Sequence, residues 1–290
     1  MTKCGHVAIA GLPNVGKSSL MNALVGEPLA MVSPKAQATR VPVVGLRTEG
    51  DVQYVFHDLP GLLEPRYLLH ARMRALALET LAKCDLVVYL HPGPDAPAPP
   101  FSEMAKLDQP PRAPVLTVYT KADLVPPERR TVEPADARWV SSTKGEGIPE
   151  LLVEIASRLP DGPFQFDPDD LGTQPMRFFV VEYLREAAFE LLEEELPYVF
   201  QAEVEEFREE RTPVYIRTTL FVETPSQKGI LIGDKGRTLK AIGVRARARL
   251  EHLLGRPVYL ETWVKVLPKW RKNADALTRF GFPKSPEEPA

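Results

Sequence analysis

The chain has 290 residues, 44% of them hydrophobic, so it can bury a sizeable core, and its length favours two domains over one. Its two cysteines, Cys4 and Cys84, are far apart and lack metal-ligand spacing, which excludes a disulfide framework and points to a reducing compartment. No apolar run reaches the roughly 20 residues that cross a bilayer, and the start lacks a charged n-region followed by an apolar h-region, so a cytoplasmic protein is expected.

The net charge of −3 hides an asymmetry along the chain. The charged residues of 186–210 are mostly acidic, with Glu193, Glu194 and Glu195 in a row, whereas Lys228 to Lys272 carries a marked excess of Lys and Arg. Such a local basic excess is an electrostatic footprint for nucleic acid.

In chain order, the apolar run at 6–10 ends at Gly11, and Lys17 to Val25 reads as a helix, giving strand, glycine loop and helix in succession. Runs at 52–57, 85–90 and 114–119 have strand length and composition, with amphipathic stretches such as 70–83 between them. This alternation predicts an α/β layered sheet with flanking helices. The Pro-rich segment 91–100 is expected as a surface loop outside helix and sheet. After a helix near 148–159, the aperiodic segment 159–175 is rich in Pro, Gly and Asp and marks a boundary. The division expected is 1–162 for the first domain, 163–175 for a linker and 176–290 for the second. The second domain reads as a helix at 177–195, strands at 198–207 and 213–224, a helix around the 233–236 loop, a helix at 237–254 and a strand at 257–266.

GLPNVGKS at 11–18 fits G-x-x-x-x-G-K-[ST], with Gly11, Gly16, Lys17 and Ser18 at the required places. The glycines let backbone N–H groups wrap phosphates, the helix N-terminus adds favourable dipole, Lys17 reaches the β/γ-phosphates, and Ser18 offers a hydroxyl to Mg²⁺. Asn14, Val15 and Ser19 complete the cradle. That pattern serves ATP and GTP alike. Asp58-Leu59-Pro60-Gly61 follows the 52–57 strand, where Asp58 can hold Mg²⁺ through water and the Gly61 amide can meet the γ-phosphate. Thr120-Lys121-Ala122-Asp123 matches the guanine-reading [NT]-K-x-D pattern: Asp123 can accept from the guanine N1 and N2 donors while the Lys121 stem packs over the base. Ser141-Ser142 stands where a backbone amide would meet guanine O6. In joint order these motifs predict GTP/GDP rather than ATP as the nucleotide, with Mg²⁺ as cofactor. A P-loop ATPase or kinase is the reading they disfavour.

In the second domain, Ile232-Gly233-Asp234-Lys235-Gly236 forms a G-x-x-G loop, whose missing β-carbons let the backbone press on about four unpaired nucleotides. Its setting matches a type II KH module. Lys235 adds charge at a helix start; Lys228, Arg237 and Lys240 flank the loop; Gly229 adjoins it; and Ile230, Leu231 and Ile232 are expected to line the groove floor. Arg245, Arg247 and Arg249 recur at every second residue and so spread around a helix. Trp270 is read equally as a base-stacking or a core residue, and the acidic half of this domain as a face that repels RNA.

The matching stretches GLPNVGKSSLMNALVG, SPKAQATR at 33–40, DLPGLLE at 58–64 and SQKGILIG make the chain resemble the Era family of bacterial GTPases along nearly its whole length. The resemblance implies a P-loop GTPase domain followed by an α+β type II KH domain. It implies that Thr39 is the switch threonine that completes Mg²⁺ coordination, so that Lys17, Thr39 and Gly61 carry catalysis. It further implies a GTP-hydrolysing factor, a monomer, that binds 16S ribosomal RNA near its 3′ end and assists assembly of the 30S subunit. Peripheral attachment to the inner face of the cell membrane also comes with the resemblance, although 278–290 offers no amphipathic helix for it. The alternative is a nucleotide-gated switch on another RNA in which hydrolysis is incidental. Three residues qualify the picture. Leu62 and Leu63 stand where a water-orienting Gln is common, so slow turnover is expected. Asn14 with an apolar Leu62 raises K⁺ as a further cation. Thr120 stands where the family usually has Asn, which is expected to remove a tie between base loop and phosphate loop.

Overall fold

The chain is described by a computed structural model covering residues 1–130 and 134–285. Contacts divide it into two units, Met1–Arg66 with His70–Thr173, and Tyr67–Leu69 with Gln174–Ala290.

In the first unit the apolar runs become strands β1 (Lys3–Gly11), β2 (Val43–Glu49), β3 (Val52–Asp58), β4 (Leu86–Pro92), β5 (Val115–Thr120) and β6 (Arg138–Trp139). Between them lie α1 (Lys17–Val25), α2 (Leu68–Leu81), the short α3 (Phe101–Met104) and α4 (Ile148–Arg158). The six strands form one sheet in the order β2-β3-β1-β4-β5-β6, parallel except for β2, which pairs antiparallel with β3. Central strands read as near-continuous apolar runs because both faces are covered. Val7 through Ala10 and Leu86 through Leu90 are all buried. In α4, Ile148, Leu151, Leu152 and Ile155 recur at helical spacing and bury one face.

Two expectations change in this unit. His91 and Pro92 continue β4 rather than opening a loop, and Gly93–Asp95 forms a 3-10 turn. A strand tolerates proline at its last position, where little ladder remains to be lost. The segment expected as a linker is bound to the first sheet over much of its length. The Leu46 amide donates to the Leu171 carbonyl at 2.8 Å, and Gln53 joins the backbone of Gln165 and Phe166. Phe166 packs against Cys4, Leu46 and Val55, which explains an aromatic residue inside a Pro- and Asp-rich stretch.

The second unit contains α5 (Met176–Leu191), α6 (Leu196–Val199), β7 (Gln201–Arg208), β8 (Val214–Val222), α7 (Pro225–Ile232), α8 (Arg237–Leu254), β9 (Val258–Val266) and α9 (Ala274–Arg279). Its sheet runs β7-β8-β9, with β8 and β9 parallel, the pairing a type II KH arrangement requires. The helix expected at 177–195 ends at Leu191, followed by Leu192 in extended conformation. Trp270 is fully buried and donates from Nε1 to the Val199 carbonyl at 2.9 Å, so it is a core residue and not a stacking platform. Of the tail at 278–290, residues 286–290 lie outside the described residues. Among the described residues no helix is long and apolar enough to cross a membrane.

Candidate functional site

Ligands of open α/β sheets sit at the carboxyl ends of the strands, and there the motifs collect. Gly11 closes β1, Asp58 closes β3, Thr120 closes β5, and Ser141 follows β6 by two residues. Asn14, Gly16, Lys17, Ser18 and Ser19 line one pocket with Thr39 and Gly61. Gly61 must be small, because a Cβ there would meet Pro13 Cγ at 2.7 Å. The Leu62 amide donates to the Gly11 carbonyl at 3.3 Å, tying the 58–61 turn to the phosphate loop, while the Leu62 side chain is buried in the core. Leu62 therefore cannot face an attacking water.

Lys17 is buried, and its ammonium donates to the carbonyls of Leu12 at 2.8 Å and Gly11 at 3.3 Å. Burial lowers its pKa to about 8 against the opposing pull of Asp58. A polyphosphate would supply the counter-charge that burial denies it.

Three oxygens converge beside it. Ser18 Oγ donates to Asp58 Oδ2 at 2.6 Å, Thr39 Oγ1 donates to the same oxygen at 3.2 Å, and the two hydroxyls lie 3.1 Å apart. This is an all-oxygen donor set of the kind Mg²⁺ takes, and it draws the 33–40 loop onto the phosphate side of the sheet. Asn14, in the left-handed region at φ 61°, donates from Nδ2 to the Pro34 carbonyl at 2.9 Å, a second tie to that loop. His70 Nε2 meets Gln37 Oε1 at 2.8 Å and connects α2 to it as well. Among the described residues no cluster of three or more His, Cys, Asp or Glu could hold a metal.

His57 precedes Asp58 on β3, and strand alternation turns it away from this centre. It stacks on His6, with His6 Nδ1 and His57 Nε2 at 2.9 Å, and burial lowers its pKa to about 4. His6 in turn meets Gln165 Oε1 at 3.0 Å. These histidines fasten the 163–173 strap and do not act as bases at the site.

At the base end the structure corrects the reading of Thr120. Its hydroxyl donates to the Val15 carbonyl at 2.7 Å, so the tie between base loop and phosphate loop survives without a carboxamide. Lys121 stands exposed in the left-handed region at φ 59°. Ser141 has a role that its motif position did not disclose: Oγ donates to Asp123 Oδ1 at 2.5 Å and fixes the carboxylate expected to read guanine, while its backbone amide donates to the Glu146 carbonyl. Ser142 follows, half-buried.

In the second unit, α7 begins with a capping box between Thr224 and Gln227 and Pro225 in the first turn, which defines its start. It ends at Gly233, where a Cβ would meet Thr238 Oγ1 at 2.3 Å and φ is +72°. Only glycine fits. Lys235 and Gly236 follow in the left-handed region, so the loop turns sharply into α8. Asp234, Lys235, Arg237 and Lys240 are exposed, Gly229 is on the open side of α7, and Lys228 and Ile232 are half-buried. Leu231 is fully buried and Ile230 is 54% exposed, so only Ile230 and Ile232 of the three apolar residues can meet a ligand.

No ion pair of the described residues involves Lys228, Lys235 or Lys240. By contrast Arg245 pairs with Glu190 at 2.9 Å and Arg249 with Glu186 at 3.5 Å, both on α5. Part of the acidic stretch thus neutralises α8 arginines instead of forming a separate repelling face.

Comparison with known proteins agrees with both halves. Residues 6–121 match a family model described as 50S ribosome-binding GTPase, and residues 195–271 match a KH domain model. The chain is 36% identical over 295 residues to GTPase Era of Leuconostoc citreum, covering 97% of this chain and 96% of the relative. It is also 36% identical to GTPase Era of Carboxydothermus hydrogenoformans, covering 97% and 98%. Among solved structures it is similar to a variant of Aquifex aeolicus Era bound to GDP·AlF4⁻, with a TM-score of 0.91 at 34% identity over 98% of this chain and 100% of the other. A structure of Era in complex with MgGDPNP and nucleotides 1506–1542 of 16S ribosomal RNA matches at the same score, identity and coverage.

Proposed function

Because the chain belongs to the family of GTPase Era, we propose that it is a GTP-hydrolysing factor that binds single-stranded 16S ribosomal RNA near its 3′ end and assists assembly of the 30S subunit. The observation that carries the reading is the convergence of Ser18, Thr39 and Asp58 beside Lys17, on a chain that also holds a glycine-flanked loop at 233–236 with Asp234 and Lys235 exposed.

In this reading Gly11, Asn14, Val15, Gly16, Lys17, Ser18 and Ser19 hold the phosphates. Ser18 and Thr39 bind Mg²⁺ directly and Asp58 binds it through water; the ion would offset charge on the phosphates. Lys17 supports the β- and γ-phosphates, and the Gly61 amide meets the γ-phosphate. Thr120, Lys121, Asp123, Ser141 and Ser142 hold guanine. Lys228, Gly229, Ile232, Gly233, Asp234, Lys235, Gly236, Arg237 and Lys240 form the RNA contact. The protein works as a monomer in the cytoplasm. Attachment to the inner face of the membrane is a finer alternative that co-sedimentation with vesicles would reveal. Sequencing RNA crosslinked to the purified protein, with and without GDPNP, tests the target: enrichment at the 3′ end of 16S RNA is expected, and enrichment elsewhere would support the switch on another RNA.

Potassium activation is a second element of this reading, supported by the Asn14 carboxamide lying against the Pro34 carbonyl at the pocket rim and by the apolar Leu62. Faster GTP hydrolysis is expected in potassium than in matched sodium buffer; equal rates would remove it.

A further inference from the structure

The two loops assigned to guanine are joined by a side chain that belongs to neither motif. Arg130 follows the 3-10 turn Pro127–Arg129, and each nitrogen of its guanidinium has a different partner. Nε donates to the Val125 carbonyl at 3.2 Å, Nη2 to the Ala122 carbonyl at 3.1 Å, and Nη1 to Glu146 Oε1 at 2.5 Å. Its plane lies over Trp139, 5.7 Å from the ring centroid.

Ala122 sits between Lys121 and Asp123, and its amide donates to the Val140 carbonyl at 3.0 Å. Glu146 closes the other loop, where its carbonyl accepts from the Ser141 amide at 2.9 Å. Ser141 Oγ returns to Asp123 at 2.5 Å. The result is a closed circuit running Arg130, Ala122, Asp123, Ser141, Glu146 and back to Arg130. A planar fork spreads its donors over three nitrogens in fixed directions and so reaches three separate acceptors, whereas the three donors of a lysine all leave one nitrogen and span less.

We infer that Arg130 is the positioning residue for guanine discrimination: by holding the Ala122 carbonyl and the Glu146 carboxylate at once, it sets the aim of Asp123 at the base. The inference rests on the guanine-nucleotide reading of the pocket and adds to it a residue that acts through Ala122 and Glu146.

The test replaces Arg130→Met, which keeps a stem against Trp139 and removes every donor, and measures affinities for GDP, for inosine diphosphate and for ADP by calorimetry. Inosine lacks the exocyclic amine that Asp123 reads, so loosening Asp123 should penalise GDP more than inosine diphosphate. A loss of about tenfold for GDP and about threefold or less for inosine diphosphate is expected, with KM for GTP raised and kcat at saturation unchanged. Arg130→Lys should restore only part of the loss. An unchanged ratio of the two affinities, whether both stay at wild-type values or both fall equally as in a general loss of stability, would overturn the inference. Failure of the wild-type protein to prefer GDP over ADP would overturn the guanine reading itself and the inference with it.

Discussion

Thr120 shows how far a residue's motif position predicts its work. Read against the family, a threonine in place of asparagine removes a carboxamide, yet its hydroxyl reaches the Val15 carbonyl at 2.7 Å. The β-carbon of a strand-terminal residue lies close enough to the phosphate loop for a short side chain to span the gap. That distance is a tertiary quantity. For the same reason Ser141 was legible as a base-loop residue but not as the hydroxyl donor to Asp123, and Arg130 left no motif trace. Replacing Thr120→Val keeps the shape and deletes the bond, leaving the buried Val15 carbonyl without that donor. GDP affinity measured by calorimetry should fall about fivefold to tenfold, in line with a net hydrogen-bond worth of about 1 kcal/mol. Wild-type affinity would show that the tie does not hold the loop.

At the level of elements, strands and helices were largely legible because apolar runs and 3.6-residue periodicity record burial directly. Ends were less so. Pro92 extends β4 because a terminal strand position loses little by lacking an N–H, and Leu231 leaves the expected groove floor because α7 turns it into the core. Cys84 makes the same point chemically. It lies between α2 and β4 with Sγ donating to the Thr80 carbonyl, and burial, aided by Asp85, raises its pKa from 9.0 to about 12. The folded thiol stays protonated where the unfolded one ionises, so its contribution to stability is complete below pH 9.0 and is lost as pH rises toward about 12. At pH 8 its thiolate fraction should be about a thousandfold below that of an unfolded cysteine. Iodoacetamide followed by mass spectrometry should modify Cys84 in urea and spare it in the native protein. Prompt native labelling would contradict the assignment.

For the whole molecule, two units on one chain were predicted from length and from the change of composition near 159–175, and contacts assign residues through Thr173, Tyr67–Leu69 excepted, to the first. The sequence could not show that its acidic stretch partly neutralises α8, because Glu186 and Arg249 meet across two helices 63 residues apart in number. Among the described residues Lys228, Lys235 and Lys240 enter no ion pair, and they stand beside a loop whose Gly233 admits no side chain. The measurement that tests the account most directly is retention of a labelled single-stranded fragment from the 3′ end of 16S RNA by the wild-type protein and by the Gly233→Asp, Gly236→Asp double variant, with GTP hydrolysis followed on the same samples. The account predicts that the variant loses the RNA while its intrinsic GTP hydrolysis continues at the wild-type rate. Undiminished RNA retention by a variant that is folded and hydrolysing GTP would contradict it.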